Sequence, residues 1–296
     1  MPKRRHATLA TSIAVTCAAF ACLGVTGCAS PPVNTELPPG VSIDVYQGRF
    51  DYADHSLEIA VANHGRAPLE VVSAEFSSPT FTPAAGYARV PTTVRPGTST
   101  DLKVLLPPAV CAAEPGDPVV AIDFTIEGVA YRVTMTPDDR LGQLPKIAAE
   151  DCRGEFVAEV ATIEAASGFT ETTIDGRPAA ELEFTATPTG QGGILTIDTV
   201  RGSPLVSLRD PVTGIVGETV PLELDIGSAK GPVPFTLTLI PARCDPHVVQ
   251  EDKRGTFFTF TVTTRQDTGV IYLGVSDAVR SALYDFVALS CGWDRH

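Results

Sequence analysis

Residues 241 to 255, "PARCDPHVVQEDKRG", bring together one cysteine, one of the five histidines, three carboxylates and three basic side chains. The candidate binding residues are Asp245, His247, Glu251 and Asp252. On a helix, His247 and Glu251 stand four apart on one face. With Asp245 or Asp252 beside them they make part of a donor set that suits zinc or copper. A structural zinc site takes four protein ligands and a catalytic one takes three plus water, so the set is incomplete and no metal is assigned. The same residues also describe a helical corner. Asp245 serves as N-cap and Pro246 opens the helix, Lys253 and Arg254 answer its dipole, and Gly255 closes two turns with Glu251 facing water.

Other reactive patterns are missing. The chain has no G-x-S-x-G elbow, H-E-x-x-H, S-x-x-K or phosphate-cradling glycine loop. His55 and His64 flank an apolar run and read as solvated turn residues, and His296 is the last residue. The expectation is a protein that is not an enzyme and needs no cofactor. The alternatives are a metal-binding protein using His247, or a hydrolase with a centre of scattered carboxylates or a metal.

Whatever these residues do, they must be positioned by a chain that is written twice. "LEIAVANHG" from Leu57 aligns with "LEFTATPTG" from Leu182, and Ser78-Pro79 with Ser203-Pro204 at the same offset. Further along, "LPPAVC" ending at Cys111 matches "LIPARC" ending at Cys244, "AIDFTI" from Ala121 matches "FFTFTV" from Phe257, and Cys152 matches Cys291. The order never changes while the offset grows, which is what loop insertions in a second copy produce. Apolar residues alternate within each copy, as in Leu57, Ile59 and Val61 or Phe235, Leu237 and Leu239. That period, bounded by Gly, Pro, Asn and Asp, predicts half-buried antiparallel strands, about seven per copy.

The fold class expected is therefore mainly β, two tandem sandwiches that resemble immunoglobulin-like domains, each with a disulfide and a short helix near its end. Residues 41–153 form the first and 154–296 the second. The last helix is predicted in "SDAVRSALYDFVALSC", capped by Ser276 or Asp277, with Val279, Leu283, Phe286 and Ser290 on one face. Its counterpart, "DDRLGQLPKIAAEDC", contains Gly142 and Pro145 and is expected to be shorter or absent.

The chain opens with basic "MPKRRH", an uncharged apolar run and "VTGC". This resembles the leader of bacterial lipoproteins, whose lipobox places an aliphatic residue and two small ones before a cysteine. Val25, Thr26, Gly27 and Cys28 occupy those places. The resemblance implies a signal peptide over residues 1–27, and Cys28 carrying a diacylglyceryl group and an amide-linked acyl chain such as palmitate. More than one acyl chain is what stable attachment takes. Proline-rich residues 28–40 then read as a lipidated flexible tether, with the body on the extracytoplasmic face of the cell membrane. With only five lysines among 22 basic residues, the chain is similar to lipoproteins of GC-rich, actinobacterial genomes.

Losing the leader removes Lys3, Arg4 and Arg5 and no acid, so the formal charge of −13 becomes more negative by three. So acidic a body is a poor candidate for nucleic acid, whose partners are basic. The partners expected are the membrane through the lipid, and an envelope protein or a glycan. In an exported chain the four remaining cysteines favour disulfides. Because each copy owns two, the repeat selects Cys111 with Cys152 and Cys244 with Cys291.

Overall fold

The structure is a computed structural model that describes residues 33–114, 116–245, 247–252 and 256–293. The leader with Cys28 and its lipobox, and Pro246, Lys253, Arg254, Gly255 and His296, lie outside the described residues. Among the described residues no helix is long and apolar enough to cross a membrane.

Alternating apolar residues decide which face of each strand is buried. In the first copy the strands are β1 (Val41–Tyr46), β2 (Ser56–Asn63), β3 (Leu69–Ser77), β4 (Ala85–Gly86), β5 (Thr92–Val94), β6 (Thr98–Leu105), β7 (Val119–Ile126), β8 (Val129–Met135) and β9 (Asp138–Asp139). One sheet runs β6-β2-β1-β9. The other runs β4-β3-β7-β8, with β5 also on β3. All pairs are antiparallel except β1 with β9. Leu57, Ile59 and Val61 of β2 point between the sheets and are fully buried. Each such side chain contributes about 1.5–3 kcal/mol of burial.

Helix α1 (Leu144–Val160) leads into the second copy. Its elements are β10 (Ala161–Ala165), β11 (Thr170–Ile174), β12 (Arg177–Pro188), β13 (Leu195–Arg201), β14 (Val206–Arg209), β15 (Val216–Gly217), β16 (Thr219–Asp225), β17 (Val233–Pro241), α2 (Val248–Glu251), β18 (Phe257–Thr264), β19 (Thr268–Gly274) and α3 (Asp277–Ser290). The sheets are β10-β12-β17-β14-β15, with β11 on β12, and β16-β13-β18-β19. The duplication holds at the level of register. Ile59 opposes Leu102 in the first copy, and their counterparts Phe184 and Phe235 oppose each other in the second. Both copies thus place the strands β1-β2-β6 or β10-β12-β17 against β3-β7-β8 or β13-β18-β19, the two-sheet order of an immunoglobulin-like sandwich.

Both expected disulfides are present, Cys111–Cys152 with its Cα atoms 5.3 Å apart and Cys244–Cys291 with 5.1 Å. On the chain-entropy argument, loops of this length stabilise by roughly 3–4 kcal/mol each. At the end of the second copy α3 starts where expected, the Ser276 hydroxyl accepting from the Val279 amide at 3.3 Å. Val287 rather than Ser290 completes its buried face with Val279, Leu283 and Phe286.

The first-copy helix departs from expectation, being 17 residues long where α3 has 14. Gly142, at φ +60°, lies before the helix rather than in it. Pro145 falls in the first turn, where a missing N–H costs nothing. Asp139 caps the end, its two carboxylate oxygens accepting from the Gln143 and Leu144 amides at 2.9 Å each. The helix runs through residue 153 and serves both cores: Leu144 and Ile147 pack into the first and Val157 and Val160 into the second. Part of the stretch expected to be a tether is docked. The Asn34 amide donates to the Ala130 carbonyl at 3.1 Å, and the Asn34 carbonyl accepts from the Arg132 amide at 2.8 Å, which docks the chain along β8. Residues 33 to 296 thus contain both cores and both disulfides in one unit.

Candidate functional site

The loaded stretch is a corner, and a smaller one than expected. Only one turn, α2, is helical. The N-cap is His247 rather than Asp245, which stands two residues before it, its carboxylate accepting from the His247 amide at 3.0 Å and bonding the ring Nδ1 at 2.9 Å. Val248 is fully buried and pins the turn. The helix stops at Asp252, which is 8% exposed and leaves helical geometry at ψ 60°. Its carboxylate turns inward to accept from the Thr256 hydroxyl at 2.8 Å and the Tyr284 hydroxyl at 2.9 Å. Glu251, expected to meet only water, forms an exposed ion pair with Arg243. Asp245 and His247 thus bond each other, while Glu251 pairs with Arg243 and Asp252 turns inward, so the four do not converge on one point. No group of three or more His, Cys, Asp or Glu that could hold a metal occurs among the described residues. Trp293 covers the nearby disulfide edge, its indole N–H donating to the Cys244 carbonyl at 3.0 Å.

The residues that do converge were not singled out by the sequence. A cavity of about 560 Å³ lies where α1 meets the two sandwiches. Its first wall is the β1–β2 connection, with Gln47, Tyr52 and His55. Its second is a stripe of α1, with Ile147, Asp151, Gly154 and Val157 three or four apart. The third comes from the second copy, through Ile163 of β10, Phe257 at the start of β18 and Val270 to Leu273 of β19. Most of these side chains are apolar.

Polar residues hold the walls in place. Gln47 and Gln143 pair reciprocally: the Gln47 amide donates to the Gln143 side-chain oxygen at 2.8 Å, and the Gln143 NH₂ donates to the Gln47 carbonyl at 2.9 Å and to the Tyr52 hydroxyl at 3.1 Å. His55 is half-buried rather than a solvated turn residue, whereas His64 is exposed as expected. The His55 Nδ1 lies 3.0 Å from the Leu106 carbonyl, and Nε2 lies 2.9 and 3.0 Å from the two Asp151 oxygens. Both partners accept, so the geometry favours a ring that donates from both nitrogens. Asp151 accordingly pushes the His55 pKa above its usual value, against an opposing effect of burial. A ring with both nitrogens occupied cannot take a proton from a nucleophile. His55 and Asp151 therefore serve as a strut between the loop and α1.

Gly154 is the telling position on the helix. A glycine inside a helix costs about 1 kcal/mol relative to alanine, and a Cβ added here would meet nothing within 4 Å. The space beside it is open and belongs to the cavity floor. Across the junction Arg153 reaches the second copy, bonding Asp267 and the Val270 carbonyl and fixing β19 against the helix.

No protein-family model matches the chain, and no curated protein matches it. Among solved structures it is similar to one titled for neurohormone perception by the receptor tyrosine kinase Torso, with 9% identity over 83% of this chain and 76% of that one and a TM-score of 0.22. It is also similar to red sea bream transglutaminase, with 9% identity over 81% of this chain and 32% of that one and a TM-score of 0.23. A third is the CsuC–CsuE chaperone and tip adhesion subunit complex of Acinetobacter baumannii pili, with 8% identity over 75% and 93% and a TM-score of 0.15. At such scores the likenesses carry no argument about fold or function.

Proposed function

We propose that the protein is a binding protein of the extracytoplasmic face of the cell membrane, anchored by a lipid on Cys28, that takes its ligand in the cavity between the two sandwiches. The observation that carries the reading is the cavity itself, about 560 Å³ with a mostly apolar lining built from both copies and the helix between them. That size and lining suit a small-molecule site.

The test uses residues 33–296 and Nile red, an uncharged apolar dye whose emission rises and shifts to the blue on leaving water. Wild type and Gly154→Ala should bind it. Gly154→Phe, which fills the floor without meeting protein atoms at its Cβ, should lose at least tenfold in affinity at an unchanged melting temperature. Dye binding that survives Gly154→Phe, or no binding by wild type, overturns the site. The anchor is tested separately by labelling with a clickable fatty acid in an expressing bacterium. Label on wild type but not on Cys28→Ala supports it, and unlabelled wild type overturns it.

A further inference from the structure

This inference rests on the binding reading above and names the chemistry of the ligand. A second cavity, about 880 Å³, shares Tyr52, Phe257, Val270 and Tyr272 with the first. Its character is different. Three arginines, Arg49, Arg201 and Arg243, and three carboxylates, Glu218, Glu251 and Asp252, line it together with hydroxyls such as those of Ser207 and Thr259. The described lining is thus charge-balanced, and it offers hydrogen-bond donors and acceptors side by side. Arg243 is already paired with Glu251, and Asp252 accepts from Thr256 and Tyr284. Arg201 and Glu218 make no ion pair among the described residues, although their strands adjoin, Arg201 lying opposite Thr219.

We infer that the ligand is an amphiphile with an uncharged polyhydroxylated head, such as a sugar, its apolar part in the first cavity and its head in the second. A head carrying charge of a single sign would face one sign of side chain and meet the other as an unfavourable neighbour. A hydroxyl both donates and accepts, so a polyol can use a planar guanidinium, a carboxylate and a serine or threonine hydroxyl at once. Arg201 and Glu218 are the head-group residues, one supplying donors and the other acceptors.

The experiment displaces Nile red from residues 33–296 with four octyl compounds below their micelle concentrations: octyl glucoside, octyl sulfate, octyltrimethylammonium and octanol. The glucoside should displace the dye at concentrations at least tenfold lower than the others. Arg201→Ala and Glu218→Gln should each weaken the glucoside at least fivefold relative to the dye, with both melts unchanged. Equal displacement by all four compounds overturns the head-group assignment while leaving the cavity as a binding site. A better result for the sulfate or the ammonium overturns it in favour of that charge. Absence of dye binding by wild type overturns the binding reading itself.

Discussion

Arg153 in α1 and Asp267 in the β18–β19 turn form a two-point pair, with Nε to Oδ1 at 3.2 Å and Nη2 to Oδ2 at 2.6 Å, while the arginine's Nη1 donates to the Val270 carbonyl at 2.9 Å. The arginine side chain is 8% exposed and the aspartate 45%. A guanidinium so placed is out of water, so its partners matter more to it than to the half-exposed carboxylate. Asp267→Ala should cost about 1–3 kcal/mol in urea unfolding, the usual penalty for leaving a buried donor unmet. Gly269 reports on the same contact, because a Cβ there would run into the Arg153 guanidinium. Gly269→Ala should destabilise wild type yet be nearly neutral in Arg153→Ala, a coupling that a double-mutant cycle reads directly. Additive effects would mean that the arginine does not occupy that place.

The strut between His55 and Asp151 gives stability a pH dependence of known sign. The folded pKa of His55 is raised, chiefly by its bond to Asp151. Its contribution is therefore complete below about pH 6.5, the ordinary histidine value, and is lost as pH rises through the higher folded value. Melts between pH 5.5 and 8.5 should show wild type falling relative to His55→Asn. Asparagine suits the test because residue 55 sits at φ 54°, a conformation asparagine tolerates. Parallel curves for the two proteins would contradict the pair.

Glu58 acts in a lower window. Burial first, then the negative charges of Asp51 and Asp101, push its pKa up to about 7. An unfolded glutamate releases its proton near pH 4.3. Between the two values the unfolded chain is favoured progressively as pH rises, and above pH 7 the whole penalty is present. Glu58→Gln should match wild type at pH 4 and exceed it in melting temperature at pH 8. No gain at pH 8 would show that the carboxylate is solvated in the folded protein.

In the corner at residues 245 to 252 the ranking of costs follows burial, not chemical suggestiveness. Asp252→Ala strands the Tyr284 and Thr256 hydroxyls and should cost about 1–3 kcal/mol. Asp245→Ala removes a fully exposed acceptor from the His247 amide and ring and should cost less than Asp252→Ala. His247, 77% exposed, should change stability by less than about 0.5 kcal/mol when replaced by alanine. Chemical denaturation of the three variants orders them. A larger loss for His247→Ala than for Asp252→Ala would reverse the assignment of roles.

The sandwiches were legible because strand periodicity is a local signal repeated in both copies. Leu57 and Leu182, Ile59 and Phe184, and Val61 and Ala186 are each buried in matching places. The cysteine pairs were legible for the same reason. The cavity was not, since its walls come from separate stretches between Gln47 and Leu273 that only the fold brings together. His55 read as a turn residue because its partners lie 51 and 96 positions away. Gly142 and Pro145 would break a helix that enclosed them, but α1 starts at Leu144, so one precedes it and the other falls in its first turn. Two residues further into the chain, the same proline would have been destructive.

Because α1 belongs to both cores, the duplicated chain has no seam at which it can be divided. A break after residue 153 would leave Leu144 and Ile147 on one fragment of helix and Val157 and Val160 on the other, each fragment too short to be stable alone. Any excision, exchange or transplantation of one sandwich must therefore take residues 144 to 160 into account, because both cores draw on them.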